Sequence, residues 1–535
     1  MSSTIKRALV SVTDKTGVVD FCRSLVEDFS VEIVSTGGTA AVLQDAGIAV
    51  TSIEAVTGFP EMMDGRVKTL HPKVHGGLLA KRDNAAHMDA AKQHDITAID
   101  LVVVNLYAFE AAVAKEGASE EEVIENIDIG GPSMLRSAAK NFASVTVVTN
   151  PADYPAILEE MQQQGGTTTL ETRKKLAMEV FDLTARYDGA ITAYLSNNDK
   201  LHIAFEKVQD LRYGENPHQA ASYYRYPGDV TNTLAAAKQL QGKELSYNNI
   251  LDTDAAWGAV REFTEPACVI VKHTNPCGAA VATSSDTDIV SVYQRAWEGD
   301  PISAFGGIIA LNRSLTAAVV EAIFANKQFV EVIVAPRFEP AALELLATKP
   351  NMRLLETGGV NSPIDAENFG STAAVTAAGE KLSLRSVEGG VLAQAEDAAT
   401  EDPATFMVVS KAQPTQQQMD DLVFAWKVCK SVKSNAITIA KDSMMLGMGA
   451  GQPNRVNSAR VAINQAEIVT DAGAKGGVAA SDAFIPFPDT VQVLADAGIS
   501  AIIHPGGSIR DEEVIAAADA AGVVLVATKR RHFRH

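Results

Sequence analysis

Val269-Ile270-Val271-Lys272-His273-Thr274-Asn275-Pro276-Cys277-Gly278 is the stretch on which the reading of the fold hangs. Its β-branched run reads as a strand buried on both faces. The run stops in a lysine, a histidine and an asparagine, after which Pro276 and Gly278 are expected to turn the chain. In an open α/β sheet, ligands collect at the carboxyl end of such a strand. Adjacent strand residues point to opposite faces, but at a strand end both Lys272 and His273 can reach one cleft. There, like charge and desolvation would push each pKa down. A neutral base beside a cation suits a reaction that removes a proton while a negative oxygen develops. The plainer alternative is a surface lysine and a capping histidine.

Toward the N-terminus the pattern alternates strand and helix. Arg7 to Thr13 reads as a strand, Val18 to Phe29 as an amphipathic helix and Val31 to Thr36 as a second strand. Gly37 opens a helix reaching about Gln44; Leu101 to Tyr107 and Val145 to Thr149 are further strands. Such alternation implies a parallel sheet with helices on both faces. Two strand ends carry Ser11, Thr13 and Lys15, then Thr36, Gly37, Gly38 and Thr39. Glycines let backbone N–H groups approach an anion and a helix N-terminus adds positive potential, so a phosphate pocket is expected. Neither a Walker A loop nor a GxGxxG fingerprint is present, which leaves an NTP or NAD site unsupported.

Asp64 to Gly77 combines Arg66, Lys68, Thr69, Lys73, His71 and His75 with little periodicity and reads as a basic loop for an anionic substrate. The two histidines lack ligand partners at metal spacing, and Pro72 is expected to break the helix that would align them. Asp128, in the glycine-rich turn Asn126 to Ser133, precedes a helix holding Arg136 and Lys140. Asp128 and Lys140 form a candidate acid/base pair, with a solvated salt bridge as the alternative.

The totals bound these readings. A chain of 535 residues, 46% hydrophobic, suffices for two to four domains. A net charge of -20 argues against nucleic acid but not against small anions held in a local pocket. Four scattered cysteines do not make a disulfide framework. No signal-peptide pattern or apolar run of membrane length is read, so a cytoplasmic protein with no membrane partner is expected.

Thr167 to Asn198 has a helical pattern, and the polar break Ser196 to Lys200 is taken as a boundary between residues 1–199 and 200–535. Beyond it, Leu211 to Gln219 offers Arg212 for phosphate and Tyr213 for stacking. Leu245 to Asn249 is similar in kind, and Pro301 to Gly307 is a glycine loop whose Phe305 and Gly306 can lie against a flat ring. Residues 337–405 carry no readable motif. Lys433 and Asn435 precede a strand, and Met444 to Arg455 forms a second glycine-rich strand end. Ser481 to Asp489 sets Phe484 and Phe487 beside Asp482 and Asp489, a set suited to a heterocycle with donors. The basic tail, Arg530 to His535, would by itself be taken as frayed. Lys272 to Gly278 echoes Lys433 to Ala436, which suggests a duplicated α/β/α domain.

Asn275-Pro276-Cys277 superficially resembles the zinc deaminase signature, but Cys277 is followed by Gly278, Ala279 and Ala280, so the second cysteine is absent and no metal is expected. Two groups of motifs carry a closer likeness. SVTDKTG, STGGT, DGRVKTLHPKVHGG, NLY and IDIGGPSMLRSAAKN resemble the IMP cyclohydrolase half of the bifunctional purine biosynthesis family, whose domain is methylglyoxal synthase-like. RYGENPHQ, KELSYNNILD, VKHTNPCG, SAFGG, KSNAI, GMGAGQPNRV, SDAFIPFPD and RHFRH resemble its AICAR formyltransferase half, a duplicated cytidine deaminase-like α/β/α fold without zinc. Ala108 departs from the family, which usually has proline after NLY.

The resemblance implies two reactions: formyl transfer from 10-formyltetrahydrofolate to AICAR, then dehydrative closure of formyl-AICAR to IMP. It implies His273 as base, Lys272 at the oxyanion, Asn435 orienting the carboxamide and His535 supporting from the tail. Lys68, Tyr107, Asp128 and Lys140 would serve ring closure. Thr13, Lys15, Thr36, Gly37, Gly38, Thr39, Arg66 and Thr69, with Arg212, Tyr213, Phe305, Gly306, Arg531 and Phe533 in the second half, would bind substrate, and Phe487 and Asp489 would face the folate. A homodimer with shared transferase sites is also implied. A zinc hydrolase and a non-catalytic nucleotide sensor stand as the competing readings.

Overall fold

Five short apolar runs build the first sheet: β1 (Arg7–Ser11), β2 (Glu32–Ser35), β3 (Val50–Ser52), β4 (Leu101–Val104) and β5 (Thr146–Val148). Their order is β3-β2-β1-β4-β5 and every pairing is parallel. A parallel sheet must be covered on both faces. Accordingly Leu9, Val34, Val102 and Val147 are fully buried in one core with Leu25, Leu43 and Leu135 from the helices. The strand order reverses between β1 and β4, which opens a crevice at their carboxyl ends.

β1 and β4 end earlier than the sequence pattern suggests. The residues beyond them, Thr13 and Asn105, bond to each other instead of extending the ladder. The expected basic loop is also shorter, because Pro72–Leu79 is a helix. Pro72 occupies its first turn, where a missing N–H costs nothing, and His71 caps it by accepting from the Lys73 amide at 3.1 Å. Pro72 therefore starts a helix where the sequence reading had it break one.

This computed structural model describes residues 4–227, 233–358, 382–400 and 402–535, which divide into two units at Ala204/Phe205, with Leu382 alone grouped with the first. Part of the motif-free region, residues 359–381, lies outside the described residues.

The second unit contains two hairpins, β6 (Glu206–Leu211) with β7 (Ala221–Arg225) and β14 (Leu382–Val387) with β15 (Gly390–Ala395). Its main sheet comprises β8 (Lys238–Gln241), β9 (Ala267–Lys272), β10 (Asn275–Val281), β11 (Gly307–Leu311), β12 (Val330–Ala335) and β13 (Arg353–Glu356). It continues through β16 (Met407–Val408), β17 (Ile437–Lys441), β18 (Met444–Gly449), β19 (Val478–Ser481), β20 (Ala501–His504) and β21 (Val524–Ala527). The order β16-β21-β20-β19-β17-β18-β10-β9-β11-β12-β13-β8 reads the same from either end once each strand is matched to its counterpart. Each half has an antiparallel hairpin, a second antiparallel partner, two parallel strands and an antiparallel edge strand. β10 joins β18 antiparallel at the centre.

The duplication extends to single residues. The Tyr247–Val260 and Gln416–Lys430 helices each begin with a capping box, Ser246 with Asn249 and Thr415 with Gln418. Each presents a carboxylate to a hairpin turn: Asp252 accepts from the Thr274 amide at 2.7 Å, and Asp421 from the Ser443 amide at 2.7 Å. Trp257 and Trp426 lie in one core that runs beneath both halves, whereas the opposite face carries a separate core for each half. The true counterpart of Lys272-His273-Thr274 is therefore Lys441-Asp442-Ser443. The echo with Lys433 suggested by the sequence is out of register, since Lys433 lies before β17 rather than at its end.

Gly278 and Gly447 are matched too. A Cβ on Gly278 would stand 2.0 Å from the Ala296 carbonyl oxygen, and one on Gly447 2.2 Å from that of Ala462. Both neighbours are helical backbone, which cannot rotate aside. Gly278→Ala and Gly447→Ala are expected to destabilise the second unit by at least about 2 kcal/mol each in denaturant unfolding. Gly258→Ala, where a Cβ meets nothing within 4 Å on an exposed helix face, should raise stability by up to about 1 kcal/mol.

Candidate active sites

The crevice between β1 and β4 deepens into a cavity of about 810 Å³. Among the sequence-derived candidates, Thr13, Lys15, Thr36, Gly37, Gly38, Thr39, Arg66, Lys68, Thr69, Tyr107 and Asp128 all line it. The reason is topological: the segments after β1, β2 and β4 emerge at one edge of the sheet. Asn105 ties two of them, accepting from the amides of Thr13 at 2.5 Å and Asp14 at 2.9 Å and donating to the Asp14 carbonyl at 3.0 Å. Thr39 locks the β1 end from below, donating to the Val12 carbonyl at 3.0 Å. Lys15 Nζ folds back to that same carbonyl at 2.8 Å. Gly38 leaves open space where a side chain would stand, at the N-terminus of the Gly37–Asp45 helix.

Asp128 sits where the Gly130–Lys140 helix begins. Its carboxylate accepts from the Gly131 amide at 2.8 Å, and its own amide donates to the Tyr187 hydroxyl at 2.8 Å. Tyr187, from the long Leu170–Leu195 helix, donates in turn to the Asn126 carbonyl at 3.2 Å. Burial raises the Asp128 carboxyl above its ordinary range, opposed by the amides of Gly131 and Tyr107. Tyr107 itself is half exposed at the cavity mouth. Lys140 is not with them. It is exposed at the opposite end of the Gly130–Lys140 helix, roughly 15 Å away along the axis at 1.5 Å per residue, and cannot pair with Asp128 in one chain. Asp128 precedes the first turn and Lys140 ends the last, so the direction of the helix separates the expected pair.

The sequence reading also missed residues. Lys68 Nζ is bound by Glu61 at 2.7 Å, Arg66 is paired with Glu125, and both glutamates line the cavity. Glu61 lies just before the motif that drew attention, and nothing in its spacing marks it.

In the second unit the turn of the β9–β10 hairpin is His273-Thr274, with φ of 52° and 61°, and Lys272 pairs with Asn275 across it. Two consecutive left-handed residues define a tight hairpin turn. Pro276 and Gly278, expected to turn the chain, instead lie within β10 at a register shift. His273 is exposed at the tip, so the desolvation expected from the sequence is missing there. Lys272 Nζ donates to the carbonyls of Phe305 at 3.2 Å and Gly306 at 3.0 Å. Gly306 has φ of 71°, and a Cβ on it would press on that ammonium at 3.0 Å. In the other half Lys441 Nζ approaches the Lys475 carbonyl at 3.5 Å. The lysine-to-loop bond is thus a feature of the repeated fold; the histidine is what sets the first half apart, since Asp442 replaces it in the second.

Asn275 reaches across the halves, its Oδ1 accepting from the Lys433 amide at 3.5 Å. Next to Lys433, the Ser434 amide donates to the Arg534 carbonyl at 2.8 Å, which brings the C-terminal tail to the same place. Asn435 donates its side-chain amide to the Gln452 carbonyl at 2.9 Å. The tail is anchored, not frayed. His532 is buried, bonded to Asp397 at 2.6 Å, with its amide on the Asp482 carbonyl at 3.0 Å. His535 accepts from Arg385 at 3.0 Å through its backbone oxygen, and Arg531 covers the Phe533 ring at 4.6 Å.

Asp482 is not an open ligand group as its motif suggested. Arg455 holds it at 2.7 Å, Ser434 bonds its other oxygen, and the pair is buried. Phe487 is exposed beneath the Arg510 guanidinium at 5.0 Å, and Asp489 accepts from the Thr490 amide at 2.7 Å. Arg212 lies over Tyr213 at 5.6 Å, between β6 and β7. No hydrogen bond or ion pair joins either residue, or Phe487 or Asp489, to the His273 turn among the described residues. Cys277 is buried, its thiol directed to the Ile270 carbonyl at 3.4 Å.

Comparison with known proteins gives two family matches. Residues 17–133 match the model of the MGS-like domain, and residues 138–465 match that of the AICARFT/IMPCHase bienzyme. The second match runs across the division between the two units. Among solved structures the chain is similar to one titled "Crystal structure of ForH", at 32% identity over 36% of this chain and 99% of that one, with a TM-score of 0.34. Among the described residues no helix is long and apolar enough to cross a membrane. With a family match over more than half its length, the chain belongs to the AICARFT/IMPCHase bienzyme family, as a formyltransferase and cyclohydrolase of the last two steps of purine biosynthesis.

Proposed function

We propose that each unit holds one of the two reactions. The first unit closes the ring and the second transfers the formyl group from 10-formyltetrahydrofolate to the 5-amino group of AICAR. The observation that carries the division is the cavity at the β1/β4 crevice, which gathers an anion-binding loop, Lys68, Tyr107 and Asp128 without help from the second unit.

In the transfer, the amine nitrogen attacks the formyl carbon and loses its proton to His273. The folate nitrogen leaves with a proton supplied by Lys272, whose ammonium also meets the developing oxyanion. Asn435 orients the carboxamide, Phe305 and Gly306 flank the ring, and His535, Arg531 and Phe533 close the site from the tail. Arg212 and Tyr213 take the substrate, and Phe487 with Asp489 takes the folate. A homodimer with shared transferase sites completes the reading. In the cyclisation, the carboxamide nitrogen attacks the formyl carbon and water leaves. Asp128 accepts the proton, Lys68 and Tyr107 polarise the carbonyl, and Thr13, Lys15, Thr36–Thr39, Arg66 and Thr69 hold the monophosphate, which Lys68 also reaches from beside Gly37. No resident metal enters either step, and the cytoplasm is the proposed location.

Turnover of AICAR with 10-formyltetrahydrofolate, followed by product chromatography, tests the assignment. Wild type should form IMP, His273→Ala should leave AICAR unconverted by at least about 100-fold, and Lys68→Ala should accumulate formyl-AICAR. IMP formation by His273→Ala at the wild-type rate, failure of Lys68→Ala to formylate AICAR, or consumption of AICAR without folate would sink it.

Asp128 must be ionised to accept a proton, and burial has raised its pKa. The cyclisation rate should therefore fall on acidification at a pH above that of an ordinary carboxylate. Asp128→Asn should remove that limb of the profile along with at least about 100-fold of kcat. An unchanged limb in a residually active Asp128→Asn enzyme would assign the titration elsewhere.

A further inference from the structure

The cyclohydrolase cavity is an anion site that is already neutralised from within. Its lining includes the cations Lys15, Arg66 and Lys68, and also Glu61, Glu125 and Asp128. The Glu61–Lys68 pair, at 2.7 Å, is the more buried of the two internal ion pairs, with the lysine only 21% exposed. One carboxylate oxygen of Glu61 lies 2.7 Å from where a Cβ on Gly65 would stand, so the glutamate tip lies over a glycine whose φ is 90°. On the other side, Lys68 Nζ lies 3.4 Å from the Cβ position of Gly37, at the first residue of the helix that follows β2. The lysine is thus parked between a resident carboxylate and the anion-binding loop.

We propose that Glu61 is a specificity-determining residue of this site: a resident counterion that an arriving phosphomonoester displaces from Lys68. The inference rests on the cyclohydrolase reading of the cavity. A phosphomonoester carries close to two charges at neutral pH, and Glu61 carries one. Both compete for the same ammonium. Monoanions of similar size gain nothing by the exchange, whereas a dianion does, so the glutamate filters the ligands the loop accepts. It also lowers the affinity for the product, which carries the same phosphate as the substrate. Glu125 with Arg66 repeats the arrangement at the rim, where exposure of 67% for the arginine makes the pair weak.

The test is calorimetric titration of the full-length protein with IMP, and separately with inosine, which has the same base and ribose but no phosphate. Removing the charge in Glu61→Gln should tighten IMP binding by about three- to tenfold and leave inosine unchanged. In a Lys68→Ala background the same substitution should bring no gain, because the exchange acts through that ammonium. Glu61→Ala is a second route to the same comparison should the glutamine variant fold poorly, with circular dichroism reporting folding for each. Wild type that binds no IMP would refute the reading of the cavity itself. Wild type that binds IMP while both Glu61 variants bind it equally or more weakly would overturn the counterion exchange alone. A gain that persists without Lys68, or that extends to inosine, would also overturn it.

Discussion

The pairing of β10 with β18 is the constraint on which the second unit depends. Each half of that unit, taken alone, would end in an unpaired hairpin strand, an exposed edge that invites association with other chains. Joining the two edges removes both at once and lets a single core, with Trp257 and Trp426 in it, run beneath the twelve strands. The same pairing sets Asn275, two residues beyond His273, beside Lys433. Chemistry-bearing segments separated by more than a hundred residues meet because backbone ladders must be completed. The close approach of Gly278 and Gly447 to helical carbonyls follows from the same need, since the central hairpins have to lie flat against their helices.

Duplication separates what is architectural from what is particular. Asp252 and Asp421 hold the two hairpin turns alike, and Lys272 and Lys441 both reach toward the loop before the next strand. At the tip, one half has His273 and the other Asp442. An imidazole therefore stands at only one of the two equivalent places. The buried Arg455–Asp482 pair belongs to the architectural side. Removing either partner would leave a charge stranded in the interior, and the pair fixes Ser434 and, through the Asp482 carbonyl, the His532 anchor of the tail.

The first unit follows a different logic. A parallel sheet brings every strand's carboxyl end to one edge, so short segments after β1, β2 and β4 need no long-range pairing to converge. The residues that line the cavity were legible in the sequence because hydroxyls, glycines and lysines cluster after recognisable strands. Glu61 and Tyr187 were not. One lies in an unpatterned segment and the other on a helix whose polar positions carry no label of their own. Their roles arise from proximity across 7 residues in one case and 59 in the other.

Local pattern in the sequence was enough for the class of the fold and for most of the residues that line the cavity of the first unit. Hydrophobic period, β-branched runs and glycine-bearing strand ends are local properties that survive without a tertiary context. It also showed the motifs of both halves and hinted at a duplication. The alignment of the repeat came from the folded chain, because the match of Lys272-His273 to Lys441-Asp442 rests on strand order and not on residue identity. It moved the turn to His273-Thr274, since a proline can sit within a strand where the ladder is irregular. It turned the basic tail from loose chain into an anchored segment and took Lys140 away from Asp128. Direction along a helix and burial of a terminus are relations between distant parts, and no local pattern encodes them.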